Sequence, residues 1–132
     1  AGGKYIAPQA IENKMKESPY IEQLMVVGGD DKKYIGALIV PSLQQVKAWA
    51  NQNNILFSNE TDLVQHPKVI ALIQYEVDSL NMHFGKWEQI KRFKLLEREW
   101  TIEQGYLTPT MKLKRKILHE SFRREIEDIF NS

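Results

Sequence analysis

Four cations crowd one short stretch of the chain: Lys112, Lys114, Arg115 and Lys116. Cations so placed suit one kind of chemistry, the holding of an anionic ligand or a negative partner surface. What precedes them is turn chemistry. Gly105 can take positive φ, Pro109 fixes its own φ and removes a backbone donor, and Thr108, just before that proline, is pushed towards extended geometry. Lys112 thus sits where a turn gives way to a helix, on backbone with few conformational choices. A lysine needed only for solubility requires no such footing. By composition alone the cluster also fits a solvated helix start. Against that, positive residues at a helix N-terminus oppose the macrodipole, by roughly 0.3–1 kcal/mol per exposed charge, and Glu125, Glu127 and Asp128 oppose it at the far end. A helix charged backwards at both ends points to a selection other than helix stability.

The elements that must position this stretch fit one domain. The chain has 132 residues, and its 42% hydrophobic content is enough for a core. Cysteine is absent, which excludes disulfides and thiolate metal sites. His66, His83 and His119 are widely separated and show no metal-binding spacing, so no metal site is expected. Trp49, Trp87 and Trp100 read as packing residues, and Asp30-Asp31 as turn chemistry. No apolar run approaches the roughly 18 residues needed to span a bilayer. No signal peptide is visible, so the cytoplasm is the expected location. The net charge of +1 argues against a general nucleic-acid binder. The charge is uneven, however. Residues 1–85 carry 7 basic and 9 acidic side chains, a net of −2, whereas residues 86–132 carry 11 and 8, a net of +3. The positive field belongs to the C-terminal third.

Patterning gives the order of elements. Pro8 suits a first helical turn, with Ile11 and Met15 on one face and Ser18-Pro19 as the stop. Ile21 to Val27 and Tyr34 to Val40 are apolar runs around a Gly/Asp turn, which predicts a hairpin. Their near-continuous apolar character predicts helices over both faces. Ser42 is the expected N-cap of a helix whose Leu43, Val46, Trp49 and Ala50 face the sheet. Residues 55–65 read as loop. Pro67 starts a helix bearing Val69, Ile70, Ile73, Val77 and Leu80. Ile90 to Leu96 reads as a third strand with Phe93 and Leu95 inward. One last helix, from about Lys114 to Phe130, buries Leu118, Phe122, Ile126 and Ile129. The sum is an α+β domain, a small sheet including a β-hairpin packed by helices.

Two motifs carry a resemblance. Gly105-Tyr106-Leu107-Thr108-Pro109-Thr110-Met111-Lys112-Leu113-Lys114-Arg115 resembles the last signature motif of the long-chain fatty acid–CoA ligases, a branch of the AMP-forming, adenylate-forming enzymes. Gly3-Lys4-Tyr5-Ile6-Ala7-Pro8-Gln9-Ala10-Ile11-Glu12 resembles the segment just after the hinge that joins their large N-terminal domain to a small C-terminal lid. Ala37-Leu38-Ile39-Val40-Pro41 and Glu88-Gln89-Ile90-Lys91 are compatible with the same family. The resemblance implies a post-hinge linker over residues 1–7 and a lid domain over residues 8–132. It implies that Lys112 enters the active site for ATP-dependent adenylation of a fatty acid, as the catalytic cation. It also implies that Gly3, Lys4 and Tyr5 help to form the CoA site, that Thr108 and Thr110 steady the base of the lysine and bind substrate, and that Lys114, Arg115 and Lys116 contact phosphates of ATP or CoA, or only the N-terminal domain. ATP, Mg and CoA would serve the whole enzyme, with none bound tightly to this segment, which alone should be inactive. The implied partners are the N-terminal adenylation domain, fatty acid, ATP and CoA, with no nucleic acid and no transmembrane segment. Peripheral membrane association of the whole enzyme is compatible with the resemblance. Most of the wider superfamily has glycine just before this lysine; Met111 stands there here, as in the long-chain branch. Two other readings stay open on the residues: a non-catalytic basic module holding nucleic acid or an acidic protein, and an acyl-adenylating domain that loads an acyl carrier.

Overall fold

A computed structural model of the chain describes residues 6–29 and 32–131. Its centre is a three-stranded sheet in the order β1-β2-β3. β1 (Ile21–Val27) and β2 (Ile35–Pro41) form the predicted antiparallel hairpin, with Leu24 opposite Ile39 and Val26 opposite Ala37. β3 (Ile90–Leu95) joins β2 in parallel, so a long crossover separates them. A shift in register between Ile35 and Gly36 lets Ile90, Phe93 and Leu95 share one face despite their uneven spacing.

Alternation along the strands divides the core in two. Leu24, Val26, Ile35, Ala37 and Ile39 face α1 (Pro8–Met15) and α4 (Pro67–Asn81), meeting Ile11, Met15, Ile73 and Val77. Met25, Val27, Leu38 and Val40 face the opposite way, meeting Trp100, Leu107, Leu118 and Ile129. Both faces are covered, as the apolar runs predict, and every residue of β2 is buried. Trp100 is a packing residue, in tilted contact with Phe122.

Several expectations need correction. Residues 55–65 are not all loop: α3 (Glu60–Gln65) lies within them, its first turn capped where the Asp62 N–H donates to Asn59 Oδ1 at 2.9 Å. α2 (Leu43–Gln52) does start after Ser42, but the Ser42 hydroxyl makes no capping bond. Its buried Val46 and Ala50 pack chiefly with Ile55, Leu63 and Val69 rather than on the sheet, which reaches them through Leu95. Ile70 is exposed, and Asn81 is buried instead at the end of α4, where its amide holds both the N–H and the C=O of Ile90 at 3.0 and 2.9 Å. The last helix is two: α5 (Arg115–Ser121) and α6 (Arg123–Asn131), with the backbone break at Phe122. That break removes part of the reversed-charge argument, because Glu125 lies in the first turn of α6, where a carboxylate is favourable. The argument keeps its force at the start of α5, where Lys114, Arg115 and Lys116 gather with no acidic residue in the first turn.

α6 sits very close to the sheet. A Cβ on Gly36 would lie 2.5 Å from Ile129 Cγ2 and 2.9 Å from the Arg92 carbonyl oxygen, so glycine is what admits the helix. No helix among the described residues is long and apolar enough to cross a membrane.

Candidate functional site

Lys112 stands on a small hairpin that leaves the second core face. The incoming arm is anchored first at Trp100, whose backbone N–H and C=O are both held by the Gln23 side-chain amide, at 2.6 and 2.9 Å. The chain then turns through Thr101–Gly105, where Gly105 takes φ +83°. Nothing lies within 4 Å of where its Cβ would be, so conformation and not space calls for glycine. Leu107 is buried and forms an antiparallel bridge with Leu113. Above that bridge the loop is tied to itself. The Thr108 N–H donates to the Lys112 carbonyl at 2.8 Å, the Met111 N–H to the Thr108 carbonyl at 2.8 Å, and the Lys112 N–H to Thr108 Oγ1 at 3.1 Å. The Thr108 and Thr110 hydroxyls lie 3.1 Å apart.

Between Thr108 and Lys112 this leaves a three-residue loop, a class that takes a left-handed residue at its last position. Met111 is that residue, at φ +68°. A glycine before the lysine would meet that demand without steric cost. Methionine accepts a conformation that is uncommon for a residue with a side chain, and its side chain lies 62% exposed. Lys112 consequently belongs to the outgoing arm of a hairpin and not directly to the helix. Lys114 is the helix N-cap, its N–H donating to the Tyr106 carbonyl at 2.9 Å.

The predicted site residues separate by environment. Lys112 is exposed, and among the described residues no hydrogen bond or ion pair engages its ammonium. Thr108 and Thr110 hold the loop together. The Lys114 side chain is exposed. Arg115, expected at substrate or at the N-terminal domain, is bonded within this domain. Its Nη1 and Nη2 donate to Glu12 Oε2 and Oε1 at 2.8 and 2.7 Å. Hydrogen bonding to that carboxylate, and its charge, raise the Arg115 pKa above its ordinary value although partial burial works the other way. Gly3, Lys4 and Tyr5 lie outside the described residues. Ile6, within the expected linker, packs against the first core cluster. A groove of about 400 Å³ runs between α1, β1 and the loop, with Glu12, Glu22, Met111, Lys112 and Arg115 among its lining. Of the histidines, His66 caps α4 by accepting the Lys68 N–H at Nδ1, 3.1 Å away. Sequence reasoning missed Glu12, because a carboxylate on the first helix carries no local sign of a partner near the C-terminus.

The geometry is thus a cation raised on an internally bonded hairpin, beside a mixed sheet covered by helices. The fold matches the adenylation domain of a carboxylic acid reductase from Segniliparus rugosus, solved with AMP and a co-purified carboxylic acid. That likeness has a TM-score of 0.75 at 17% identity, over 98% of this chain and 18% of that one. A fatty acyl CoA synthetase of Mycobacterium tuberculosis aligns with a TM-score of 0.55 at 18% identity, over 92% of this chain and 19% of that one. The chain belongs to the AMP-binding enzyme C-terminal domain family, whose pattern it matches over residues 1–132. Among its relatives, the long-chain-fatty-acid–CoA ligase FadD15 of Mycobacterium tuberculosis is 39% identical over 132 residues, 99% of this chain and 22% of that protein. Human long-chain-fatty-acid–CoA ligase 1 is 33% identical over 134 residues, 100% of this chain and 19% of that protein. The chain thus spans about a fifth of the length of these relatives.

Proposed function

We propose that this chain is the catalytic lid of a long-chain fatty acid–CoA ligase, and that Lys112 is the cation it delivers to the adenylation step. The similarity to such ligases at 33–39% identity supports the substrate class. The single observation that carries the role is the state of Lys112: an exposed ammonium with no partner among the described residues, on a loop whose own bonds hold it outward.

The chemistry explains the requirement. A fatty acid carboxylate oxygen attacks the α-phosphorus of ATP; a new P–O bond forms, the bond to the β-phosphate oxygen breaks, and pyrophosphate leaves. Two anions must meet, and charge builds on the phosphoryl oxygens. An ammonium brought between them lowers the repulsion and stabilises that charge. In the second step the CoA thiol attacks the acyl carbonyl and AMP departs, leaving a thioester. Gly3, Lys4 and Tyr5 are proposed for that second site. Among the described residues no group of three or more histidines or carboxylates is placed to hold a metal.

The test is Lys112→Ala in the full-length polypeptide. Adenylation, read as fatty acid–dependent pyrophosphate release, should fall on the order of 10²–10³-fold. Thioester formation from supplied acyl-adenylate should fall far less. Equal loss in both half-reactions would contradict the role.

A further inference from the structure

Glu12 is a carboxylate at only 4% exposure, and three segments distant in the chain meet on it. It sits on α1. Its Oε2 accepts the Val26 N–H at 2.9 Å, an amide on the outer side of β1, which pairs with β2 alone. The same oxygen and its twin accept the two forks of Arg115, a residue 103 positions away. Arg115 is the first residue of α5 and the third after Lys112.

We propose that Glu12 and Arg115 are positioning residues for Lys112, a clamp that sets the direction in which the ammonium leaves the domain. The proposal rests on the reading of Lys112 as the adenylation cation. Three observations support it. The Lys112 loop is bonded to itself, so its aim is decided at its root and not at its tip. The incoming root is fixed by buried Leu107 and by the Gln23 hold on Trp100. On the outgoing side Leu113 is half-buried against the second core cluster and the Lys114 side chain is exposed, so Arg115 is the first side chain there tied to another element by hydrogen bonds.

Stability alone does not account for the pair. An arginine at a helix start opposes the macrodipole. Burying a carboxylate carries a desolvation cost that the partner only offsets, and apolar residues often replace such pairs without loss. What a forked arginine–carboxylate pair supplies is fixed geometry. Catalysis demands that geometry: a reacting group is held within about 0.5 Å and 10–20° of its working position. A displacement of about 1 Å costs on the order of 10²-fold in rate.

The experiment uses the full-length polypeptide that carries this domain. Arg115→Lys keeps the charge and loses the fork; Glu12→Gln keeps an acceptor for Val26 and loses the charge. Each should lower the adenylation kcat about 10- to 100-fold. KM for fatty acid and ATP, and thioester formation from supplied acyl-adenylate, should stay within about twofold of the parent, because neither residue is placed at substrate. The double variant should be no worse than the poorer single one, since both act through one contact. Full adenylation activity in Arg115→Lys would overturn the clamp. So would equal loss in both half-reactions, the mark of a general structural role. So would a rise in KM for ATP or CoA that Glu12→Gln does not share, which would make Arg115 a substrate contact. If Glu12→Gln fails to fold, the half-exposed Arg115 decides the matter. Lys112→Ala separates the two ideas: if it spares adenylation the proposed function fails, and if it alone cripples adenylation only the clamp fails.

Discussion

Thr108 offers a sharp test of whether the loop hydroxyls touch substrate or hold the lysine. Thr108→Val keeps the shape and removes the hydroxyl. The Lys112 N–H, now 3.1 Å from Oγ1, loses its acceptor. Two loop bonds survive, because the Thr108 N–H to Lys112 carbonyl bond and the Met111 N–H to Thr108 carbonyl bond are both backbone to backbone at 2.8 Å. The contact with the exposed Thr110 hydroxyl is lost too, but water replaces it, so the net loss is set by the Lys112 N–H bond, about 0.5–1.5 kcal/mol. If all of it appears as time the loop spends out of place, adenylation falls about 2- to 12-fold, at about 1.36 kcal/mol per tenfold. Thr108→Ser restores the hydroxyl and should restore the rate. The assay is pyrophosphate release by the full-length polypeptide, beside thioester formation from supplied acyl-adenylate. A Thr108→Val loss as deep as that of Lys112→Ala would refute the reasoning, because the hydroxyl would then be acting on substrate directly. An unchanged rate would refute it from the other side.

Two further outcomes concern the frame that carries the loop. Gly36→Ala should destabilise the chain by about 1–3 kcal/mol, the usual cost of overpacking, since its Cβ would meet a backbone carbonyl as well as Ile129; a thermal unfolding midpoint at or above the parent value would contradict this. Gln23→Leu strips the Trp100 N–H and C=O of their partners and should cost about 1–3 kcal/mol for each group left unpaired in a part-buried site. Urea unfolding followed by tryptophan fluorescence would measure it, and an unchanged midpoint would show that Trp100 does not depend on Gln23.

The features legible in the sequence were local ones. β1 and β2 announce themselves because strands covered on both faces read as apolar runs around a turn. Pro8 and Pro67 mark helix starts because proline's missing donor costs nothing there. Lys112 stood out because its turn residues lie within a few positions of it. α3 was hidden because six residues with two apolar side chains show no period; the signal was Asn59 followed three residues later by Asp62. The break at Phe122 left the stripe of Leu118, Phe122, Ile126 and Ile129 intact, so only the backbone reveals it. The direction of β3 and the partner of Arg115 are long-range facts. A guanidinium looks the same in sequence whether it awaits a phosphate or already holds a carboxylate on the first helix.

The close seat of α6 on β2 has a bearing on how the domain comes into being. Met25, Val27, Leu38 and Val40 are synthesised well before Ile129 and Phe130, which close over them. Until α6 emerges, one side of the hairpin stays open to other nascent chains, and transiently bared apolar strands invite aggregation. Premature termination before Arg123 would leave that side permanently uncovered. α6 thus closes that side of the domain as a shutter closes a window, and quality control would find copies lacking it by the surface they bare.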